Sequence, residues 1–250
     1  MKASIHETAI IAASAIIGEN VEIGPFTIVG ENVTIGTNTR IEAHCEIGVT
    51  GGTISDGALE IGSNCLIRSG TILYKGSKFG DGLHTGHKVT VREAVTAGDG
   101  LQLGTLCDIQ GFCEFGDYVK LHSNVFISQS SILGSFIWIF PHVVLTDDPH
   151  PPSEVRLGCR LSDYCAIASH STLLPGVHIG EGALVGAMSL VRDDVPENGI
   201  CVGVPGKNIG TTENIKFKET GLQVYPWRRH FHRGYPDTVV KKWIAEFKNS

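Results

Sequence analysis

The sequence predicts an all-β parallel β-helix, a chain wound into short strands that stack coil upon coil. Three observations carry this: an apolar residue at every sixth position, a small or apolar residue two places before it, and 31 glycines in a chain only 18% charged. Many regular turns need glycine, and a helical chain of this length would carry more charge.

Stepping by six from Ile5 meets Ile11, Ile17, Ile23, Val29, Ile35, Ile41 and Ile47. The phase moves by eight residues across VTGGTISDGALE and runs from Ile61 to Leu145, where only Thr85 and Ala97 are not large apolar residues. It moves by ten across DDPHPPSEVRLG and continues from Leu161 to Val191. Six is not a multiple of 3.6, so an amphipathic helix would scatter these residues around its circumference. It is a multiple of two, and alternate strand residues face the same way, which puts Ala9, Ala15, Val21, Thr27, Val33 and Thr39 inside as well. Each hexapeptide is then a strand and a turn. Glycine often follows the apolar residue, as at Gly18, Gly36 and Gly62, where a bend without a Cβ clash is useful. Three units close a triangular coil of eighteen residues, so the twenty-nine units give nine to ten coils in a prism about 45 Å long. The two phase breaks are loops leaving the coil.

The net charge of −6 gives no basic field for nucleic acid. No apolar run approaches a membrane span, and MKASIHETAI lacks the apolar core of a signal peptide, so no membrane partner is expected and the chain is expected in the cytoplasm. After Gly206 the hexapeptide pattern stops. YPDTVVKKWIAEFKN reads as a helix, with Asp237 as N-cap and Val239, Trp243 and Phe247 on one stripe. The preceding YPWRRHFHRGYP is basic and aromatic; packing of Trp227, Phe231 and Tyr235 against a prism face is the first reading and ligand contact the second.

On this repeat the chain resembles the hexapeptide-repeat acyltransferases over about residues 5 to 207. The resemblance implies a left-handed parallel β-helix domain at 1–207 and a C-terminal extension with one helix at 208–250. It also implies a homotrimer with active sites in clefts between prisms, and acetyl-CoA or another acyl-CoA as co-substrate.

Seven cysteines without a Cys-x-x-Cys pair make a poor disulfide or zinc framework. Cys45, Cys65, Cys107, Cys113, Cys159 and Cys165 each lie two residues before an apolar position and are expected as buried fillers; Cys201 lies beyond the last counted position. Carbonic anhydrases of the γ class share such a prism and bind zinc through a histidine pair five apart, but no such pair occurs among the eleven histidines, so no metal is expected.

Residues eighteen apart stack along one prism edge, which aligns Glu93, Gln129 and Asp147, with Gly111 between the first two. Polar groups repeated beside a loop suit a ligand cleft, although a solvated corner has the same pattern. HTGHKVTVRE and FISQSSILGSFIWIFPHVVLTDDPHPP resemble the sugar N-acetyltransferases that act on nucleotide-linked amino sugars. That resemblance places Asp148 and Asp147 at the catalytic centre with Gln129 beside the sugar, and Ala187, Arg192 and Lys207 on CoA; His150 on the same loop is a further catalytic candidate, and Glu93 on the polar edge with His84, His87 and His142 are further candidates for the sugar. This chain departs from the group's pattern in having Gln129 for an acidic residue, Asp147 for asparagine and His142 for asparagine. Carboxylates suit an amine acceptor, because they hold it and can relay its proton. The function expected is N-acylation of the amino group of a nucleotide-linked sugar. The alternatives are O-acetylation of a sugar hydroxyl with His150 as general base, a role implied by similarity to sugar O-acetyltransferases, and a non-catalytic scaffold.

Overall fold

The computed structural model describes residues 2–52 and 57–248. Every one of the twenty-nine marker residues falls in a short strand, and the strands stack into three sheets of twelve, ten and nine. The first sheet begins at Ser4–Ile5, the second at Ile10–Ile11 and the third at Ile16–Ile17. Partners are eighteen apart, as in Ile5↔Ile23 and Ile17↔Ile35. The two phase breaks are excursions that the ladder skips, since Ile41 pairs with Ile67 and Leu133 with Leu161.

The first sheet holds twelve strands, and the last, Lys207–Thr211, is antiparallel to Gly199–Val202. That leaves eleven parallel rungs on this face, beyond the nine to ten coils expected. The added coil escapes a count by six because Val185 pairs with Cys201, sixteen residues on, after a shortened turn. Lys207 opens a strand that runs on to Thr211, past the expected edge of the prism domain.

The core is one continuous column of the marker residues and the residues two before them. All seven cysteines are buried free thiols in it, Cys201 included. The thiols donate to turn carbonyls, as Cys107 Sγ does to His122 O at 3.0 Å and Cys113 Sγ to Ser128 O at 3.2 Å. Burial pushes the Cys107 thiol up to about 11 and those of Cys113 and Cys159 to about 12, so they stay neutral near pH 7.

Glycine after a marker serves close approach between coils. A Cβ on Gly62 would stand 2.5 Å from Gly80 C. The left-handed backbone falls three residues after the marker, and there the chain places Asn20, Asn38 and Asn64 but also Phe26, Tyr118, Phe136, His142, Tyr164 and His170, with φ between 55° and 63°. A bulky residue in this conformation costs about 1–2 kcal/mol. Stacking between coils offsets it: Tyr118 lies 5.4 Å from Phe136, and Phe136 5.1 Å from Tyr164.

The C-terminal segment is a strap laid on that aromatic ladder. Trp227 Nε1 donates to Tyr164 O at 3.1 Å, Trp138 Nε1 donates to Tyr235 Oη at 2.8 Å, and Phe231 meets Trp138 edge-on at 5.6 Å. Packing against the prism is therefore the role of Trp227, Phe231 and Tyr235. The helix Asp237–Lys248 starts with Asp237 as its first residue and buries Trp243 against Phe136, at 5.2 Å, and Tyr235, at 4.9 Å.

Candidate functional site

The corner between the second and third sheets carries the polar line. Glu93, Gly111, Gln129 and Asp147 each stand two residues after a core residue of the second sheet, and backbone hydrogen bonds link successive turns, Phe112 N to Glu93 O at 3.0 Å and Ser130 N to Gly111 O at 3.1 Å. At Asp147 the chain leaves the coil, and the excursion closes where Leu157 N donates to Asp147 O at 2.7 Å.

Asp148 organises this excursion. Its Oδ1 accepts from His150 N at 3.0 Å and from Ser153 Oγ at 2.6 Å, and its Oδ2 accepts from Ser153 N at 2.7 Å. The Ser153 hydroxyl, with these backbone donors and the nearby Arg156, holds the Asp148 carboxyl below the usual carboxylate range. Arg156 Nε lies 3.8 Å from Asp147 Oδ2, and its Nη1 lies 3.7 Å from Asp148 Oδ2. Two carboxylates and a guanidinium thus form one cluster. The His150 side chain is exposed on the same turn, and Gln129 is half-buried one coil earlier. An ionised, pinned carboxylate beside an exposed imidazole can hold an amine or accept a proton from a hydroxyl.

The other expected residues do not join this cluster in a single chain. Glu93 is only 2% exposed and holds Arg92 through two contacts, Nε–Oε2 at 2.9 Å and Nη2–Oε1 at 3.1 Å. Gly51 packs over it so closely that a Cβ there would lie 2.9 Å from the carboxyl carbon, which ties the first excursion to this corner. His87 and His142 follow core residues of the first sheet, on a different corner, and His142 stacks on His170 at 4.7 Å. His84 faces outward from the first sheet, in register with Gln102. Ala187, Arg192 and Lys207 are exposed in the last coils, and Arg192 Nε lies 3.2 Å from Asp193 Oδ2.

Sequence reasoning missed two clusters. On the second sheet Asp108 sits in register with Thr90, accepts from Gln110 Nε2 at 3.0 Å and is raised in pKa by burial, while Arg92 lies over the Tyr74 ring at 5.4 Å. The signal available was the outward position one before each marker. On the first sheet Lys120 lies under the strap, 4.0 Å from the Tyr235 ring, and nothing local in the sequence joins residues so far apart. Among the described residues no group of three His, Cys, Asp or Glu side chains is placed to hold a metal ion, and no helix is long and apolar enough to cross a membrane.

Three stacked sheets of short strands, with polar loops leaving one corner, define a hexapeptide-repeat solenoid. The family model for the bacterial transferase hexapeptide (six repeats) matches residues 14–48. The Escherichia coli K12 putative lipopolysaccharide biosynthesis O-acetyl transferase WbbJ is 33% identical over 140 residues, 47% of this chain and 68% of that protein. The chain belongs to this hexapeptide-repeat transferase family. The bifunctional protein GlmU of Xanthomonas campestris pv. campestris (strain B100) is 28% identical over 192 residues, covering 77% of this chain but only 35% of GlmU, so the chain spans about a third of that relative. The Arabidopsis UDP-N-acetylglucosamine acyltransferase structure superposes with a TM-score of 0.66 at 16% identity, over 98% of this chain and 90% of that one, and shares the fold.

Proposed function

We propose that the protein is an acyl-CoA-dependent acyltransferase that acylates the amino group of a nucleotide-linked sugar at the excursion carrying Asp147, Asp148 and His150. The observation that carries this reading is the fixed carboxylate of Asp148 on a loop that rises from the polar corner, with Asp147 and Arg156 beside it. A thioester is already activated, so the protein has only to bring a neutral amine about 3 Å from the carbonyl carbon and stabilise the oxyanion. Asp147 or Asp148 orients the amine and relays its proton, and Gln129 holds the sugar. Backbone N–H groups of the later coils, with Ala187, Arg192 and Lys207, take the pantetheine arm and phosphates of the acyl-CoA.

His84, His87 and His142 reach the same ligand only if a neighbouring copy brings its first-sheet edge to the loop, so the reading includes a homotrimer, while Glu93 lies lower on the loop's own edge. The outward column of the second sheet supports an assembly at its two ends: Ile10 is 63% exposed and Ile28 45%, and Phe126 and Val144 are half-buried, while Glu46, Ile72, Thr90 and Asp108 stand in register between them. Apolar groups in such a row favour burial against another surface.

A second reading, transfer to a sugar hydroxyl with His150 as general base, is favoured by the similarity to WbbJ and by the exposed His150 side chain on the turn whose backbone Asp148 holds. One experiment tests both. The protein is incubated with acetyl-CoA and a panel of nucleotide-linked amino sugars and their hydroxyl counterparts, and the products are analysed by mass. Acetylated amine supports the first reading and acetylated hydroxyl the second; release of no CoA with any acceptor, together with no stabilisation by acyl-CoA in a thermal melt, removes both.

A further inference from the structure

A groove of about 510 Å³ crosses the first sheet beneath the strap. In a three-sided prism this face lies opposite the corner from which the Asp147 excursion leaves. Its floor is the outward column His84, Gln102, Lys120 and Trp138, which the ladder holds in register, and its wall is Phe231 and Arg233.

Two cations meet here without an acid. Lys120 is only 6% exposed; its Nζ donates to Gly234 O at 3.4 Å and lies 4.0 Å from the Tyr235 ring and 4.7 Å from the Trp138 ring. Among the described residues neither Lys120 nor Arg233 is paired with a carboxylate. A buried ammonium without a counter-ion is costly, and the ring faces return only part of that cost. Burial, with Arg233 nearby, pushes the ammonium down to about 8. His84 and His122, which line the same groove, are also lowered, each chiefly by burial. A chain with net charge −6 therefore keeps a positive hollow with room for a small ligand.

We propose that this groove binds the phosphoryl group of a small phosphorylated molecule, with Lys120 and Arg233 as its charged donors and Trp138 and Phe231 flanking the organic part. The two cations approach from floor and strap, and the hydroxyls of Thr105 and Ser123 lie in the same lining. Donors from several directions suit a tetrahedral dianion better than a planar carboxylate. Within one chain the groove shares no lining residue with the Asp147–His150 loop, and its test reads binding and not transfer.

Titration calorimetry of the full chain with inorganic pyrophosphate tests it, with acetate at matched ionic strength as comparison. Saturable pyrophosphate binding is expected, weakened about tenfold or more by Lys120→Met and by Arg233→Gln and retained in Lys120→Arg, as for loss of one charged hydrogen bond. Arg233 is exposed, so its variant stays informative if Lys120→Met folds poorly. Sulfate, whose charge is constant, supplies the pH profile. The groups facing Lys120 are His84 and His122, both lowered, Arg233, and Tyr235, which burial raises, so between pH 7 and 9 Lys120 alone titrates. Sulfate affinity should fall across that window, with proton uptake on binding near its upper end. No saturable binding, equal binding of acetate, or binding unchanged in both Lys120→Met and Arg233→Gln overturns the proposal.

Discussion

Replacing Gly62 by alanine should destabilise the prism by about 2–4 kcal/mol, and the structure shows why. The new Cβ would lie 2.5 Å from both C and O of Gly80 and 2.7 Å from Asp81 N, about 0.9 Å short of ordinary contact at 3.4 Å. The backbone cannot yield freely, because Gly62 N donates to Phe79 O at 3.0 Å and Gly80 N to Ala97 O at 3.0 Å. Overpacking of this kind costs about 1–3 kcal/mol, and a stretched ladder hydrogen bond adds about 1 kcal/mol. At about 2–4 °C per kcal/mol for a chain of this size, the melting temperature should drop by about 4–16 °C. Gly52→Ala is the matched control, since a Cβ there meets nothing within 4 Å, and it should stay within about 0.5 kcal/mol of wild type. Thermal melts followed by circular dichroism read both. Equal melting of the Gly62 variant and wild type, or an equal loss in the Gly52 variant, would refute close coil approach as the reason for glycine.

Burial of the cysteines predicts that a thiol reagent at pH 8 labels none of the seven rapidly in the native protein and all seven after denaturation; fast labelling of two or more contradicts it. Trp243→Ala should cost about 3–5 kcal/mol and free the strap, seen as loss of the terminal helix signal and faster proteolysis after residue 211 with the prism intact; an unchanged digestion pattern contradicts it. Lys120 has a folded pKa near 8, below its unfolded value of about 10.4, so the penalty for its charge is absent above the higher value and complete below the lower. Relative to Lys120→Met, wild type should therefore lose stability as pH is lowered from about 10 to about 8 and lose no more below that, as read by denaturant titration at several pH values; a flat difference contradicts it.

The prism was legible because its rule is local: one inward residue in six, read directly from Ile5 to Val191. The same rule located the excursions, the buried cysteines and the corner line Glu93–Gln129–Asp147. It failed where the period breaks, since the turn through Val195 shortens the step to Cys201 and hides the last coil. It also could not tell which corner residues face a ligand. Glu93 and Asp147 share an edge, yet Glu93 is covered by Gly51 and Asp147 stands at an open excursion, a difference made by loops that carry no periodic signal. The left-handed turn position was missed because stacking between coils lets Phe136 and Tyr164 occupy it as readily as asparagine. The groove at Lys120 joins residues more than a hundred positions apart, as its bond to Gly234 shows, so only the docked strap reveals it.

The central claim, that the excursion at Asp148 is the acceptor half of a transferase site, is tested most directly by steady-state transfer kinetics of Asp148→Asn beside its acyl-CoA affinity. Ser153→Ala serves as the control that removes one loop hydrogen bond to Asp148 without removing the charge. For an amine acceptor, kcat/KM in Asp148→Asn should fall by about tenfold or more while acyl-CoA affinity stays within about twofold and Ser153→Ala loses less. For a hydroxyl acceptor, His150→Ala should carry the larger loss, about a hundredfold. Wild-type kcat/KM in both Asp148→Asn and His150→Ala would contradict the account and move the site off this loop.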